Sequence, residues 1–310
     1  MDFQQKLEER VKEAEKIIYS YMPDVKELQG VVIDAMNYTM SAGGKRIRPV
    51  IMKAVYDMLG GDDKIIEPFM AAIEMIHTYS LIHDDLPALD NDDYRRGRKT
   101  AHVVYGEAMA ILAGDGLLNY AYETATKTFD LIEVADVNDN GALVRELESR
   151  KQVERAVKIL SRNPGIYGMI GGQVVDVSLT GQKLSEEQLE YIYINKTGAL
   201  IEAAMTIGAV LSGTSNDIVD KISQTAYNIG MAFQIQDDIL DETATFEELG
   251  KPIHSDADSG KVTYVTIHGI DNAYAEVKRL SELAIKTINE LPGDGEFLKE
   301  LVRYLIDRTK

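Results

Sequence analysis

Apolar residues recur every three to four positions from one end of this chain to the other, and that period permits little besides helix. The stretch "FQQKLEERVKEAEKIIYSYM" sets Leu7, Val11, Ala14, Ile17 and Ile18 along one face. The same period returns in "IEPFMAAIEMIHTYSLIH", "EEQLEYIYINKTGALIEAAMTIGAVLSG", "DIVDKISQTAYNIGMAFQIQDDIL" and "AYAEVKRLSELAIKTINEL". Strict alternation, the signature of a half-buried strand, is nearly absent; "KVTYVTI" (261–267) is a short strand candidate. The 7 prolines fall mostly between the periodic segments and leave long helices intact. Loop signals at "SAGGKRIRP", "ADVNDNG", "SRNPG" and "ELGKPIHSDADSGK" separate helices without resembling an interdomain linker. The most polar stretch, 134–164, reads as a helical insertion. The expectation is one all-α domain over residues 1–310.

Composition narrows the chemistry. The 33 Lys and Arg against 51 Asp and Glu leave a formal charge of −18, a surface that repels nucleic acid and anionic membranes. The count of 0 cysteines removes thiol nucleophiles, disulfides and cysteine-based metal sites, and suits a reducing compartment. The charged amphipathic N-terminus has no apolar signal region, and no apolar run approaches the roughly 18 residues of a membrane span. A cytoplasmic protein with no membrane span and no nucleic-acid partner is expected.

Against that background two acidic clusters stand out. "HDDLPALDNDD" carries Asp84, Asp85, Asp90, Asp92 and Asp93, and "QIQDDILDE" carries Asp237, Asp238 and Asp241. Asp237 and Asp241, four apart on a helix, share a face; their repulsion is offset by a divalent cation. Magnesium suits such a pair, since it takes hard oxygen ligands and uses one or two carboxylates while substrate phosphates complete its shell. Asp84 and Asp90 would lie roughly 240° apart on a straight helix. Pro87 sits between them, so a break near Leu86 is expected to swing Asp90 back toward Asp84. His77 and Ser80 share the face of Asp84 on the unbroken part. The first cluster is no EF-hand, because Tyr94 occupies the next alternate position.

A metal site of this kind implies an anionic substrate. "GGKRIRP" follows the Gly43–Gly44 turn, where backbone amides approach an anion closely, with Lys45, Arg46 and Arg48. Arg95 and Arg96 follow the first acidic cluster; Lys196, Lys251 and Lys261 accompany the second half. The glycine pair is no P-loop, lacking both the spacing and a preceding strand.

Taken in order, "GGKRIRP", "HTYSLIHDDLPALDNDDYRRG", "LAGDGLL", "GMIGGQVVDV", "NKTGALI" and "FQIQDDILDE" resemble the trans-prenyl diphosphate synthases, most closely the bacterial farnesyl and plastid-type geranylgeranyl diphosphate synthases. The resemblance covers about residues 40–265. It implies an isoprenoid synthase-type helical bundle around a central active-site cavity, commonly a homodimer. It implies magnesium held by Asp84, Asp85, Asp90, Asp237 and Asp241. Allylic substrates (dimethylallyl and geranyl diphosphate) would meet Arg95, Lys196, Gln234, Lys251 and Lys261. Isopentenyl diphosphate would meet Gly44, Lys45, Arg48, His77 and Arg96. Thr197 and Gln234 would direct oxygen dipoles toward a carbocation, and Gln173 and Asp176 would line the same cavity. The family more often has proline after the tyrosine of "KVTYV", a departure beside Lys261.

Product length in the resembling enzymes is set about one helical turn before the first acidic motif, here Tyr79 and Ser80. Tyr79 lies some 7 Å down the helix from Asp84 at about 1.5 Å per residue. A ring there stops growth at fifteen carbons, so the expectation is a farnesyl diphosphate synthase, with a twenty-carbon geranylgeranyl product as the alternative. A terpene cyclase would lack "GGKRIRP", and a non-catalytic partner subunit would have degraded acidic motifs. A two-histidine phosphohydrolase site fails because His77 and His83, six apart, face different ways.

Overall fold

The computed structural model describes residues 2–24, 28–243 and 262–306, and helix dominates them. They fall into two compact units, Met1–Tyr56 with Gly61–Lys158, and Asp57–Gly60 with Ile159–Lys310.

The first unit contains α1 (Phe3–Ser20), α2 (Gly30–Met40), most of α3 (Ile47–Met58), α4 (Glu67–Asp84), the strands β1 (Tyr94–Arg95) and β2 (Arg98–Lys99), α5 (Ala101–Tyr105), α6 (Glu107–Thr126) and most of α7 (Asn140–Arg162). α4 is apolar nearly all round, burying Phe69, Met70, Ile73, Met75, Ile76, Tyr79 and Ile82, the pattern of a helix at the centre of a core. With the preceding turn, Lys64–Asp84 is long and apolar enough to cross a membrane, contrary to the expectation from sequence; 78% of its apolar window is buried inside the protein. α6 lies against α4 and buries Ala110, Ala113, Gly114, Leu117 and Ala121 at helical spacing. Small residues let the two helices approach: a Cβ at Gly114 would stand 2.2 Å from the His83 ring. His83 Nε2 lies 3.2 Å from the Ile111 carbonyl oxygen, so that imidazole is committed to this helix contact.

The second unit contains α8 (Met169–Ser178), α9 (Glu186–Ile192), a π-helical turn (Tyr193–Gly198), α10 (Ala199–Leu211), α11 (Asn216–Thr243), α12 (Tyr264–His268), α13 (Ile270–Glu290) and α14 (Glu296–Ile306). α9 opens on a capping box in which Gln188 N–H donates to Ser185 Oγ at 3.2 Å and Ser185 N–H to Gln188 Oε1 at 2.9 Å. Leu189, Ile192 and Tyr193 pack with Met231, Ile235 and Ile239 of α11 and Val277 and Leu280 of α13. α10 is buried along nearly its whole length.

Two local expectations change. "KVTYVTI" forms no strand among the described residues. Its β-branched residues give a strand signal, but Thr266 N–H donates to Thr263 Oγ1 at 3.2 Å and caps α12. A hairpin appears where none was expected, pairing Tyr94 with Lys99 and Arg95 with Arg98. Its two turn residues, Arg96 (φ 53°) and Gly97 (φ 75°), both have positive φ, the requirement of a type I′ turn. The helix carrying the first acidic motif ends at Asp84 with Asp85 as its cap, in keeping with the break expected near Leu86.

Candidate active site

In the first unit the chain leaves α4 and folds back on its own end. Asp85 N–H still donates to Leu81 O at 3.1 Å, but Asp90 N–H donates to Asp84 O at 2.8 Å and Asn91 N–H to Leu86 O at 3.1 Å. Pro87, with no N–H to give, sits in that turn, and Asn91 closes it at φ 54°. The backbones of Asp84 and Asp90 are thereby joined, as their spacing required. Asp84 is half-buried and Asp90, Asp92 and Asp93 are exposed. Asp85 is buried, its Oδ1 accepting from both Nε and Nη2 of Arg95 at 2.6 Å. Burial raises its pKa and the Arg95 bond opposes the rise. Arg95 also reaches Asp92 at 3.6 Å.

The hairpin carries two of the expected anion ligands and is fastened to α2. Tyr38 Oη donates to Lys99 O at 2.8 Å, Arg98 stacks 4.4 Å over the Tyr38 ring, and Arg98 Nη1 donates to Ser41 Oγ at 3.2 Å. Arg96 at the turn reaches across to donate to the Gly43 carbonyl. A Cβ at Gly44 would stand 2.5 Å from Arg96 Nη1, so the second glycine of "GGKR" makes room for a guanidinium.

The neighbouring arginines divide sharply. Arg46, at φ 47°, is buried and satisfied: Nη1 donates to Glu74 at 2.8 Å, Nη2 to Met40 O at 2.7 Å and Tyr19 Oη at 3.2 Å, and Nε to Glu15 at 3.3 Å. Arg48 is half-buried, and its Nε is shielded from solvent with no hydrogen-bond partner among the described residues. Burial lowers the Arg48 pKa; Glu74 opposes this and Arg96 adds to it. His77 is pushed well below the usual imidazole value by burial, then by Arg48, Arg96, Arg46 and Arg95. Arg48, His77 and Arg96 thus act on one another as one basic group with Glu74 among them, and exposed Lys45 and Gly44 lie on the adjoining turn. Glu74, 2% exposed, was missed in the sequence; its signal was a lone carboxylate three residues before His77 in an otherwise apolar run.

Tyr79 is 5% exposed, packs edge-on against His83 with ring centres 5.8 Å apart, and has a hydroxyl with no partner among the described residues. Burial first, then Tyr122 and Asp84, push its pKa up to about 12. Ser80 Oγ donates to His77 O at 2.9 Å, so that side chain turns back on its own helix.

In the second unit Lys196 and Thr197 stand on the π-helical turn, a widened geometry often found at functional sites. Lys196 Nζ meets Asp176 Oδ2 of α8 at 2.5 Å. A Cβ at Gly172 would lie 2.2 Å from the Lys196 backbone nitrogen, so α8 and the turn touch only because that residue is glycine. On α11, Gln234 Nε2 donates to Asp237 Oδ2 at 3.3 Å; Asp237 is half-buried and Asp241, one turn on, is buried. Asp176, Tyr193, Lys196, Gln234, Asp238 and Thr263 line a cavity of about 130 Å³. Gln173 is half-buried on α8. Lys251 and Lys261 lie outside the described residues.

Among the described residues no three His, Asp or Glu side chains gather into a cage for a metal. The donors present, aspartate carboxylates with hard oxygens, fit magnesium, which takes one or two carboxylates and shares phosphate oxygens with its substrate.

The polyprenyl synthetase family matches residues 29–302. A geranylgeranyl diphosphate synthase of Cyanophora paradoxa is 42% identical over 280 residues, covering 90% of this chain and 88% of that protein. A farnesyl diphosphate synthase of Micrococcus luteus is 38% identical over 299 residues, 96% of this chain and 94% of that one. The apo crystal structure of an FPP/GFPP synthase from Zymomonas mobilis superposes with a TM-score of 0.81 at 27% identity, covering 98% of each chain.

Proposed function

Within the polyprenyl synthetase family, to which the chain belongs, we propose that it is a farnesyl diphosphate synthase that condenses isopentenyl diphosphate first with dimethylallyl and then with geranyl diphosphate. In each round the allylic C–O bond breaks and diphosphate departs. The allylic cation takes the double bond of isopentenyl diphosphate, a C–C bond forms, and a proton is lost.

The residue types suit each task. Asp84, Asp85 and Asp90 of the first unit and Asp237 and Asp241 of the second are assigned to magnesium. When bound, that ion acts as a Lewis acid on the departing diphosphate. Lys196 and Arg95, each held in its own unit by a carboxylate (Asp176 and Asp85), are the cations assigned to the leaving group. Lys251 and Lys261 are assigned there too. Thr197 and Gln234 supply oxygen dipoles for the cation. Gly44, Lys45, Arg48, His77 and Arg96 are assigned to the second diphosphate. A homodimer in the cytoplasm completes the reading.

The observation that carries it is the cluster of Arg48, His77 and Arg96. In a chain of formal charge −18 a shielded guanidinium nitrogen there has no partner among the described residues, beside an imidazole whose pKa burial and the arginines lower. Such an arrangement costs stability unless a polyanion is its partner. It supports a second diphosphate substrate over the single one of a cyclase. The fifteen-carbon limit rests on Tyr79, buried one turn before Asp84 with its hydroxyl unpaired. A twenty-carbon product is the second reading, favoured by the likeness to the Cyanophora enzyme.

The test is incubation with isopentenyl and dimethylallyl diphosphates, followed by chromatography of the dephosphorylated alcohols. The expected product is chiefly farnesol, with Tyr79→Ala shifting it to longer chains. Chiefly geranylgeraniol from the native chain overturns the farnesyl assignment, and turnover without isopentenyl diphosphate overturns the two-substrate reaction.

A further inference from the structure

The second acidic motif contains two adjacent aspartates, and the structure gives them different neighbours. Asp237 is half-buried beside Gln234. Asp238, about 100° further round α11, is 8% exposed and points into the interior of the second unit. There its Oδ2 accepts the hydroxyl proton of Tyr193, and also the backbone N–H of Tyr264 at 2.7 Å. The Tyr264 N–H is shared with Tyr193 Oη at 3.1 Å, which closes the triangle.

Two of the three corners belong to elements that carry assigned site residues. Tyr193 is the first residue of the π-helical turn that presents Lys196 and Thr197. Asp238 sits one residue from Asp237 on the helix that also bears Gln234 and Asp241. Tyr264 begins α12, three residues after Lys261. A π turn has one residue more than the α-helical ladder accommodates, and something must hold it in register. Gly172 permits the close approach of α8 to the turn, and Asp176 of α8 takes the Lys196 side chain. The buried Tyr193–Asp238 hydrogen bond ties the first residue of the turn to α11.

We propose that Asp238 and Tyr193 are a pair of positioning residues: Asp238 takes no metal, and the pair locks the π turn, α11 and the start of α12 into the register that aims Lys196, Thr197 and Asp237. The kinetic part of this proposal rests on the prenyl-transfer reading; the structural part does not.

Two kinds of measurement on the full chain decide it. Amide hydrogen exchange is compared for the native protein, Tyr193→Phe and Asp238→Asn. Both variants are expected to exchange ~10-fold faster across 193–198 and 262–268, with α10 unchanged, as follows from losing one buried hydrogen bond. Unchanged exchange in those two segments overturns the proposal. Steady-state kinetics then separates positioning from bulk structure. Tyr193→Phe is expected to lower kcat about 10-fold or more while KM for isopentenyl diphosphate moves by less than about twofold. Tyr193→His, which restores an N–H donor, recovers most of that loss. If Asp238→Asn raises the magnesium requirement and Tyr193→Phe does not, Asp238 is a metal ligand and the proposal falls. If the native chain transfers no prenyl group, the functional reading fails, and the exchange data still decide the triangle.

Discussion

Arg48 has an environment that makes little sense without a ligand. Its Nε is shielded and has no partner among the described residues; Glu74 supports its charge while burial and Arg96 oppose it. Arg46, two residues away, uses its whole guanidinium on Glu74, Met40, Tyr19 and Glu15. Replacing Arg48 by methionine keeps much of its bulk and removes the charge. We expect Arg48→Met to lower kcat/KM for isopentenyl diphosphate roughly 10- to 100-fold, the worth of one or two charge-assisted bonds. Its melting temperature should equal or exceed that of the native protein, because a half-buried guanidinium with a shielded, unpartnered Nε is gone. Initial rates at varied isopentenyl diphosphate and a thermal melt check both; a clear drop in melting temperature would make Arg48 a structural residue. The sequence pointed to Arg48 and the acidic clusters because their spacing is local. Only the family resemblance separated Arg48 from Arg46 there; composition and spacing did not, since the physical difference is made by a backbone at φ 47° and by Glu74, 28 residues on. Asp238 was opaque for the same reason: its partner hydroxyl lies 45 residues back.

Elements were legible where a period existed and hidden where two geometries share one composition. The helices announced themselves through three-to-four spacing, whereas "YINKTG" shows nothing that distinguishes i→i+5 from i→i+4 bonding. The hairpin at Tyr94–Lys99 was hidden because its strands are two residues long and its turn uses Arg-Gly rather than the usual Asn-Gly. Gly172 and Gly116 make the point testable. A Cβ at Gly172 would meet Lys196 backbone atoms at 2.2 and 2.7 Å, which neither helix can yield cheaply. At Gly116 the nearest atom is the flexible Met36 sulfur at 3.1 Å. We expect Gly172→Ala to cost about 1–3 kcal/mol by overpacking and to lower kcat at least about tenfold through the displaced turn. Gly116→Ala should leave both stability and kcat near native, since helix propensity gains up to about 1 kcal/mol against a mild contact. Denaturant unfolding with parallel turnover assays checks the pair; equal losses in the two variants would show that the π turn is not the sensitive element.

At the scale of the whole molecule, the division into two units left no mark in the sequence, because its boundaries fall inside α3, inside α7 and in the short turn after α3 rather than in a linker. The apolar surface does leave one. α6 buries Ala110, Ala113 and Leu117 on one side and exposes Ile111 and Leu112 on another, while α5 exposes Val103 and Val104. In the second unit α8 and the turn before it expose Ile166, Tyr167, Ile170, Val174 and Val177, with Tyr167 at 79%. Single exposed apolar residues need no explanation, but adjacent pairs on α5 and α6 and a run at helical spacing on α8 are candidate contact surfaces. A second copy of a chain carrying −18 can cover them only if the apolar area buried outweighs charge repulsion, so self-association should strengthen as salt screens that charge. We expect sedimentation at ~10 µM protein to give twice the 34.5 kDa chain mass, more completely at 0.3 M than at ~0.03 M salt. Replacing Ile111 and Leu112 together by glutamate should yield a monomer of unchanged helicity, because both side chains point away from the α4 contact. A native chain that sediments as a monomer at both salt concentrations rules the homodimer out, and a double variant that remains dimeric moves the interface away from α6.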